Sequence, residues 1–428
     1  MASDVHRAID AVWRIESPRL IAGLARIVRD VGLAEDLAQD ALLAALETWP
    51  RTGIPERPGA WLMATAKHRA IDTLRRRQTL ERKHEQLARE LELEQAAIPG
   101  PDDALDDEVG DDVLALVFCA CHPVLPAESR VALTLRLLGG LTTTEIARAY
   151  LVSEATIAQR IVRAKRTLAE ADVAFEVPRG DALAARLPAV LQVVYLIFNE
   201  GYSATAGEDW MRPALCTEAL RLGRVLAGLM PRQPEVHGLV ALMEIQASRT
   251  AARTGPSGEP VLLLEQDRSR WDRLLIRRGL AALERAEALG GAFGRYALEA
   301  TIAACHARAP TAEATDWVRV AVLYQALAQV APSPIVELNR AVALGMALGP
   351  QAGLDVVDAL RDEPSLRRTH LLPSVRGDLL ARLGRLAEAR EELERAASLA
   401  GNARDRELLR ERAAACDPPP APPISPGR

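Results

Sequence analysis

The chain has 428 residues, a formal net charge of -5 and only 4% aromatic residues. That length exceeds one ordinary core, so two or three folding units are expected, and a composition rich in Ala, Leu, Arg and Glu makes an all-α fold the base expectation, because unbranched side chains lose little freedom in a helix. Five widely spread cysteines, Cys119, Cys121, Cys216, Cys305 and Cys416, exclude a disulfide framework and fit a reducing cytoplasm, and the polar start "MASDVHRAID" lacks the apolar stretch of a signal peptide.

The first clear element is "AEDLAQDALLAALET" at 34–48. Ala34, Leu37, Ala38, Ala41, Leu42, Ala45 and Leu46 share one face of an amphipathic helix, while Asp36, Gln39 and Asp40 point elsewhere. Pro50 is expected to end it. After the loop "PRTGIPERPG", a helix is expected at about 59–78, with Trp61, Leu62, Ala64, Thr65, Ile71 and Leu74 available for packing. From Lys67 to Lys83 the balance is strongly basic, and Trp61 and His68 are placed among cations that could follow a phosphate backbone, a combination suited to unpaired DNA. Between Glu90 and Asp112 there is no Lys or Arg, and "IPGPDDALDDEVGDD" reads as an acidic linker.

A second module spans about 110–173, with helices near 112–121 and 126–138 leading through Gly139 and Gly140 into "TTTEIARAYLVSEATIAQRIVRAKRTLAE". Thr142 and Glu145 have capping-box spacing, and Ser153 stands where it can cap the next helix. Ile146 and Ala147 face inward and Ile157 and Ile161 face them, which leaves Glu154, Thr156, Gln159, Arg160, Arg163 and Arg166 on the outer face. This is the layout of a helix whose first residues approach base edges and whose arginines meet phosphates. Cys119, Cys121 and His122 cannot complete a tetrahedral metal site without a distant fourth ligand, and are read as buried thiols and a helix end.

Beyond "EVPRGD" at 176–181 the pattern is a long series of helices punctuated by Pro and Gly. "LPAVLQVVYLIF" at 187–198 is shorter than the roughly 20 residues of a membrane span and is read as a core helix, so no membrane partner is expected. "LLARLGRLAEAREELERAASLA" has Leu383, Gly384 and Ala396 at tetratricopeptide-like spacing, with Leu380 and Ala387 at the large aromatic positions. The polar clusters "FNEGYSA" and "EQDRSRWD" offer Asn199, Glu200, Tyr202, Asp267, Arg268 and Trp271 as a candidate pocket. The tail "CDPPPAPPISPGR" is too proline-rich to fold. No nucleophile stands with a base at readable spacing, and no phosphate-binding glycine loop or zinc-protease motif is present, so neither catalysis nor a cofactor nor a bound metal is expected.

Taken together, "LAEDLAQDALLAALETW", "GAWLMATAKHRAIDTLRRR" and the stretch from Thr142 resemble the polymerase-binding helix, the −10 reading helix and the −35 reading motif of sigma-70 family factors of the extracytoplasmic-function group. "VYLIFNEGYSA", "EQDRSRWD" and "SPIVELNRAVAL" extend the resemblance to the subgroup with a long C-terminal tetratricopeptide-like extension. The resemblance implies two small helical sigma domains, at 1–85 and 111–175, joined by an acidic linker at 86–110 and followed by a helical array at 181–415 and a disordered tail at 416–428. It places Asp36, Gln39 and Asp40 against the RNA polymerase core, and Trp61, Thr65, Lys67, His68, Arg69, Asp72, Arg75 and Arg76 at the −10 element of promoter DNA. His68 stands where many relatives carry Asn. Glu154, Thr156, Gln159, Arg160 and Arg163 fall at the −35 groove, and a regulatory DGPF-motif protein is an implied partner of the extension. The rival readings are a helix-turn-helix regulator with a signal-sensing repeat domain that is no sigma subunit, and a repeat scaffold whose basic helices bind nothing specific.

Overall fold

The computed structural model describes residues 2–88, 108–150, 152–204, 210–256 and 258–416. Most of the expected linker and the proline-rich tail therefore lie outside the described residues. The chain forms two compact units, Met1–Leu196 and Ile197–Arg428, and no described residue belongs to a strand of a sheet.

The first unit begins with α1 (Ala2–Val28), α2 (Val31–Thr52) and α3 (Pro58–Ala88). α1 buries Leu20, Ile21, Leu24, Ala25 and Val28, and packs against both α2 and α3. It ends sharply because Arg29 takes a left-handed φ of 52° and Asp30 at once caps α2, accepting from the Leu33 amide at 3.0 Å. α2 buries Ala34, Leu37, Ala38, Ala41 and Ala45 of the expected stripe, leaves Leu42 and Leu46 half-buried, and adds Trp49. It does not stop at Pro50. The ring sits in the last turn, where the helix runs on to Thr52, and the terminator is Gly53, whose φ of 83° suits glycine and whose amide reaches the Trp49 carbonyl at 2.9 Å.

Four more helices complete the globular part of this unit: α4 (Glu108–Ala120), α5 (Ala127–Leu137), α6 (Thr143–Tyr150) and α7 (Glu154–Glu170). α4 buries every residue from Val113 to Ala120, as a helix wedged on all sides must, and packs against α1 and α5. Gly140, at φ 64°, supplies the left-handed turn between α5 and α6. Cys119 and Cys121 are buried free thiols that burial pushes up to about 11, and Cys121 Sγ lies 3.4 Å from Thr134 Oγ1. His122 Nδ1 accepts from the Val124 amide at 3.2 Å and so shapes the turn after α4.

α8 (Gly180–Tyr202) begins in the first unit and ends in the second. Among the described residues it is the one helix long and apolar enough to cross a membrane by length and composition, and its Val190, Leu191, Val193, Val194, Ile197 and Phe198 are buried in protein. The second unit continues with α9 (Pro213–Leu229), α10 (Pro234–Ala247), α11 (Arg273–Ala288) and α12 (Arg295–Arg308). α10 is its central helix, in contact with α9, α11 and α12, and a Cβ at Gly238 would lie 2.8 Å from the Ala297 backbone nitrogen. Then come α13 (Trp317–Val330), α14 (Pro334–Ala347), α15 (Pro350–Ala359), α16 (Leu371–Arg382), α17 (Leu386–Leu399) and α18 (Ala403–Ala414), each packed on the next. Leu380 and Ala396 are fully buried in this last part, and Gly384 makes the α16–α17 turn at φ 76°. Arg376 of α16 is buried between Asp358 of α15 at 2.8 Å and Glu392 of α17 at 3.1 Å, tying three consecutive helices together.

Candidate nucleic-acid interface

The candidate reading helix α7 is built by local rules. Thr142 N donates to Glu145 Oε2 at 2.8 Å and Glu145 N donates to Thr142 Oγ1 at 3.1 Å, which is the reciprocal capping box at the start of α6. Ser153 Oγ accepts from the Thr156 amide at 3.1 Å and starts α7. Ile157, Ile161, Ala164 and Leu168 turn inward. Glu154, Gln159, Arg163 and Arg166 are exposed, and Thr156 and Arg160 are half-buried. Arg166 is partly engaged with Glu170 at 3.4 Å, an exposed pair worth little. Ser153→Ala should cost about 1 kcal/mol of α7 stability. Hydrogen exchange at the Thr156 amide should then quicken about fivefold, and Ser153→Asp should leave it unchanged.

The candidate −10 residues lie along the first half of α3. Trp61 is half-buried with its ring edge-on to Trp49, centroids 5.3 Å apart, so its inner part is held by packing. Thr65 Oγ1 donates to the Trp61 carbonyl at 2.9 Å. Lys67 and Arg69 are half-buried, whereas His68, Asp72 and Arg75 are exposed. The side chain of Arg76 lies outside the described residues.

On α2, Asp36 and Asp40 are exposed and Gln39 is half-buried, all on its polar side. Asp40 meets Arg69 of α3 at 3.4 Å. Gln39 Nε2 donates to Glu35 Oε1 at 2.6 Å. Glu35 itself escaped the sequence reading. It is 3% exposed, and its carboxylate is held by Arg136 of α5 at 2.6 Å and Lys165 of α7 at 2.6 Å. Burial pushes this carboxyl up, but the charges and hydrogen bonds of Lys165 and Arg136 outweigh it and hold it below its ordinary value. Lys165 also approaches Asp36 at 3.8 Å. A further ion pair within the unit joins Arg26 of α1 to Asp112 of α4 at 3.2 Å.

The candidate pocket of the second unit is brought together only in part. Asn199 is exposed, Glu200 pairs with Arg212, and the exposed Asp267 caps the short turn after it by accepting from the Ser269 amide at 2.9 Å. Tyr202, Arg268 and Trp271 instead enter a ladder with three residues the sequence reading missed. Arg253 lies between the rings of Trp210 and Tyr202, at 4.3 and 3.6 Å from their centroids. Arg249 lies 5.7 Å from the Tyr202 ring and 5.8 Å from that of Trp271, and Arg268 covers Trp271 at 4.9 Å. Arg268 also donates to the carbonyls of His306 and Ala309 at the end of α12, and Arg253 to that of Tyr202 at 3.0 Å. Burial and the two neighbouring cations, Arg249 and Arg268, push His306 down to about 4. Among the described residues no group of three or more His, Cys, Asp or Glu side chains is placed to hold a metal ion.

Comparisons with known proteins give each part a counterpart. Residues 13–79 match the family model for sigma-70 region 2, residues 120–168 that for sigma-70 region 4, and residues 186–287 a family of unknown function, DUF6596. An uncharacterized protein of Rhizobium meliloti (strain 1021) is 42% identical over 405 residues, covering 94% of each chain. The probable ECF RNA polymerase sigma factor SigI of Mycobacterium tuberculosis is 27% identical over 172 residues, 40% of this chain and 58% of that one. No solved structure matches the chain. These relatives carry nothing in favour of a DGPF-motif partner.

Proposed function

Because the chain belongs to the extracytoplasmic-function group of the sigma-70 family and carries a C-terminal helical extension, we propose that its two N-terminal modules divide the reading of a promoter between them. The family consists of non-enzymatic transcription initiation factors, whose partners are RNA polymerase core and promoter DNA. In the finer reading, the acidic edge of α2 at Asp36, Gln39 and Asp40 docks on core. α3 holds the unwound −10 strand with Trp61, Thr65, Lys67, His68, Arg69, Asp72, Arg75 and Arg76, and α7 reads the −35 duplex. The observation that carries it is the outer face of α7: a helix capped by Ser153 that offers Glu154, Thr156 and Gln159 in its first turns and Arg160, Arg163 and Arg166 behind them.

Transcription in vitro with purified core tests it. Initiation that depends on the added chain supports the reading, and binding of duplex DNA without initiation favours a plain helix-turn-helix regulator. Asp36→Ala with Asp40→Ala should weaken core binding about tenfold, close to 1.4 kcal/mol, in a titration against core. The fold should be unchanged, since both carboxylates are exposed and the Asp40 pair with Arg69 is a surface one.

For the extension we infer a regulatory role. Its support is that Arg186 of α8 donates to the Phe118 carbonyl at 2.8 Å and lies over the Phe118 ring at 5.6 Å. The helix that leads into the extension is thus anchored on α4, beside the segment matching region 4.

A further inference from the structure

The arginine ladder of the second unit holds more positive charge than its surroundings answer. Arg249, Arg253 and Arg268 are each buried, and among the described residues none of them is in an ion pair. The carboxylates that act on the ladder stand at its ends: Asp405 of α18, which bonds Trp210, acts on Arg253, and the exposed Glu313 acts on Arg268. The side chain of Arg249, in the middle, has one hydrogen-bond partner among the described residues, the neutral Gln246. A neutral ring returns only part of what burial of a guanidinium costs, and Arg249 and Arg268 share the ring of Trp271. Burial first, and after it the charge of Arg249, holds Arg268 below its ordinary value.

What the ladder lacks is of one kind. Arg249 Nε, Arg268 Nε and Trp271 Nε1 are buried N–H donors without an acceptor, and His306 Nδ1 is unpartnered as well. Trp271 is 3% and His306 7% exposed. Buried polar groups are bonded as a rule, so a cluster of orphans calls for a group that the protein does not itself supply. That group has to accept hydrogen bonds and carry negative charge. We propose that the ladder is a binding site for a small phosphate-bearing ligand, whose oxygens accept from Arg249, Arg268 and Trp271. More than one cation meets the group, which favours a doubly charged phosphate over a single carboxylate, and the planar guanidinium forks suit its oxygens. Tyr202 ends α8, Arg249 follows α10, and Arg268 is bonded to the end of α12, so the ligand braces three helix ends within the second unit. The site lies just under the surface. Among the described residues of the connection from 248 to 272, regular structure is two short 3-10 turns and one bridge pair, Thr254 with Pro260, and long irregular segments of this sort usually serve a function. Its Asp267, Ser269 and Arg270 are exposed beside the buried Arg268 and Trp271. A single spherical chloride cannot take up several spread donors at once, so the site distinguishes phosphate from simple salt.

The inference does not depend on the promoter reading, and its test needs neither polymerase nor DNA. In the full chain with isotope-labelled tryptophan, the six indole N–H resonances are followed by NMR at slightly alkaline pH, where phosphate is a dianion. Sodium phosphate and glycerol phosphate are titrated against sodium chloride and sodium acetate at equal ionic strength. We expect one resonance to move saturably with phosphate and to be that of Trp271, identified by its loss in Trp271→Phe. Phosphate at about ten times its Kd should raise the thermal midpoint of the extension by about 3–6 °C. Arg249→Gln should lower phosphate affinity at least about tenfold and leave the unliganded chain no less stable, because it deletes a buried unpaired charge. Equal affinity for the two probes assigns the site to the ion itself, and an ester that binds about tenfold tighter assigns it to a phosphorylated small molecule. The site is overturned if neither probe moves an indole resonance saturably, if acetate moves it as far as phosphate does, or if the Arg249→Gln chain keeps the parental response.

Discussion

Arg160→Glu combined with Arg163→Glu is expected to leave core binding at the parental level and to lower initiation from a −35-dependent promoter by about two orders of magnitude. Each arginine that contacts a base edge or phosphate is worth about 1–3 kcal/mol, and reversal adds repulsion from the duplex, so about 3 kcal/mol for the pair is a moderate figure. The fold should not suffer. Arg163 is exposed, Arg160 is half-buried, and among the described residues neither guanidinium is in an ion pair. The variant should also flatten the salt dependence of promoter binding, because fewer counterions are released when fewer phosphates are neutralised. Initiation that persists at parental levels would remove α7 from the promoter and return it to the status of a solvated basic helix.

The second large effect concerns the extension alone. Arg376→Ala should destabilise the α15–α17 region by about 3 kcal/mol, since it leaves the buried Glu392 carboxylate with only the longer contact to the exposed Arg395 at 3.8 Å and breaks the bond to Asp358. Amides of α16 and α17 should exchange about a hundredfold faster, while those of α7 stay at their parental rate. Replacing Arg376 by Met together with Glu392 by Leu should recover most of the loss, because an apolar pair of similar volume avoids the desolvation penalty. If the single and double variants were equally unstable, packing and not the orphaned charge would be the cause.

What was legible in the sequence was what a helix says about itself. The capping box at Thr142 and Glu145, the cap at Ser153 and the buried stripes of α2 and α7 are decided within a few residues, and the structure has them where spacing put them. Pro50 shows the edge of such rules: a proline in the last turn coexists with the helix, and the stop came from Gly53. Glu35 was illegible for a different reason. It reads as one more polar position of an amphipathic helix, and only Arg136 and Lys165, more than a hundred residues away, bury it. Arg249 and Arg253 were missed likewise, since their ring partners Tyr202 and Trp210 come from a separate segment. Tyr202, Arg268 and Trp271 were singled out as pocket residues, and the structure engages them with rings, arginines and helix-end carbonyls of their own unit.

That ladder sets how the two halves of the molecule respond to ionic strength. Exposed charges more than about 8 Å apart are largely screened at physiological salt, and contacts to phosphate weaken steeply as salt rises. Arg249, Arg253 and Arg268 are each only 8% exposed, and they face neutral rings, an attraction that mobile ions cannot enter to screen. Under the proposed reading, salt strong enough to strip α7 from DNA would therefore leave the joint between α10 and α11 standing, and the extension would still be recovered folded.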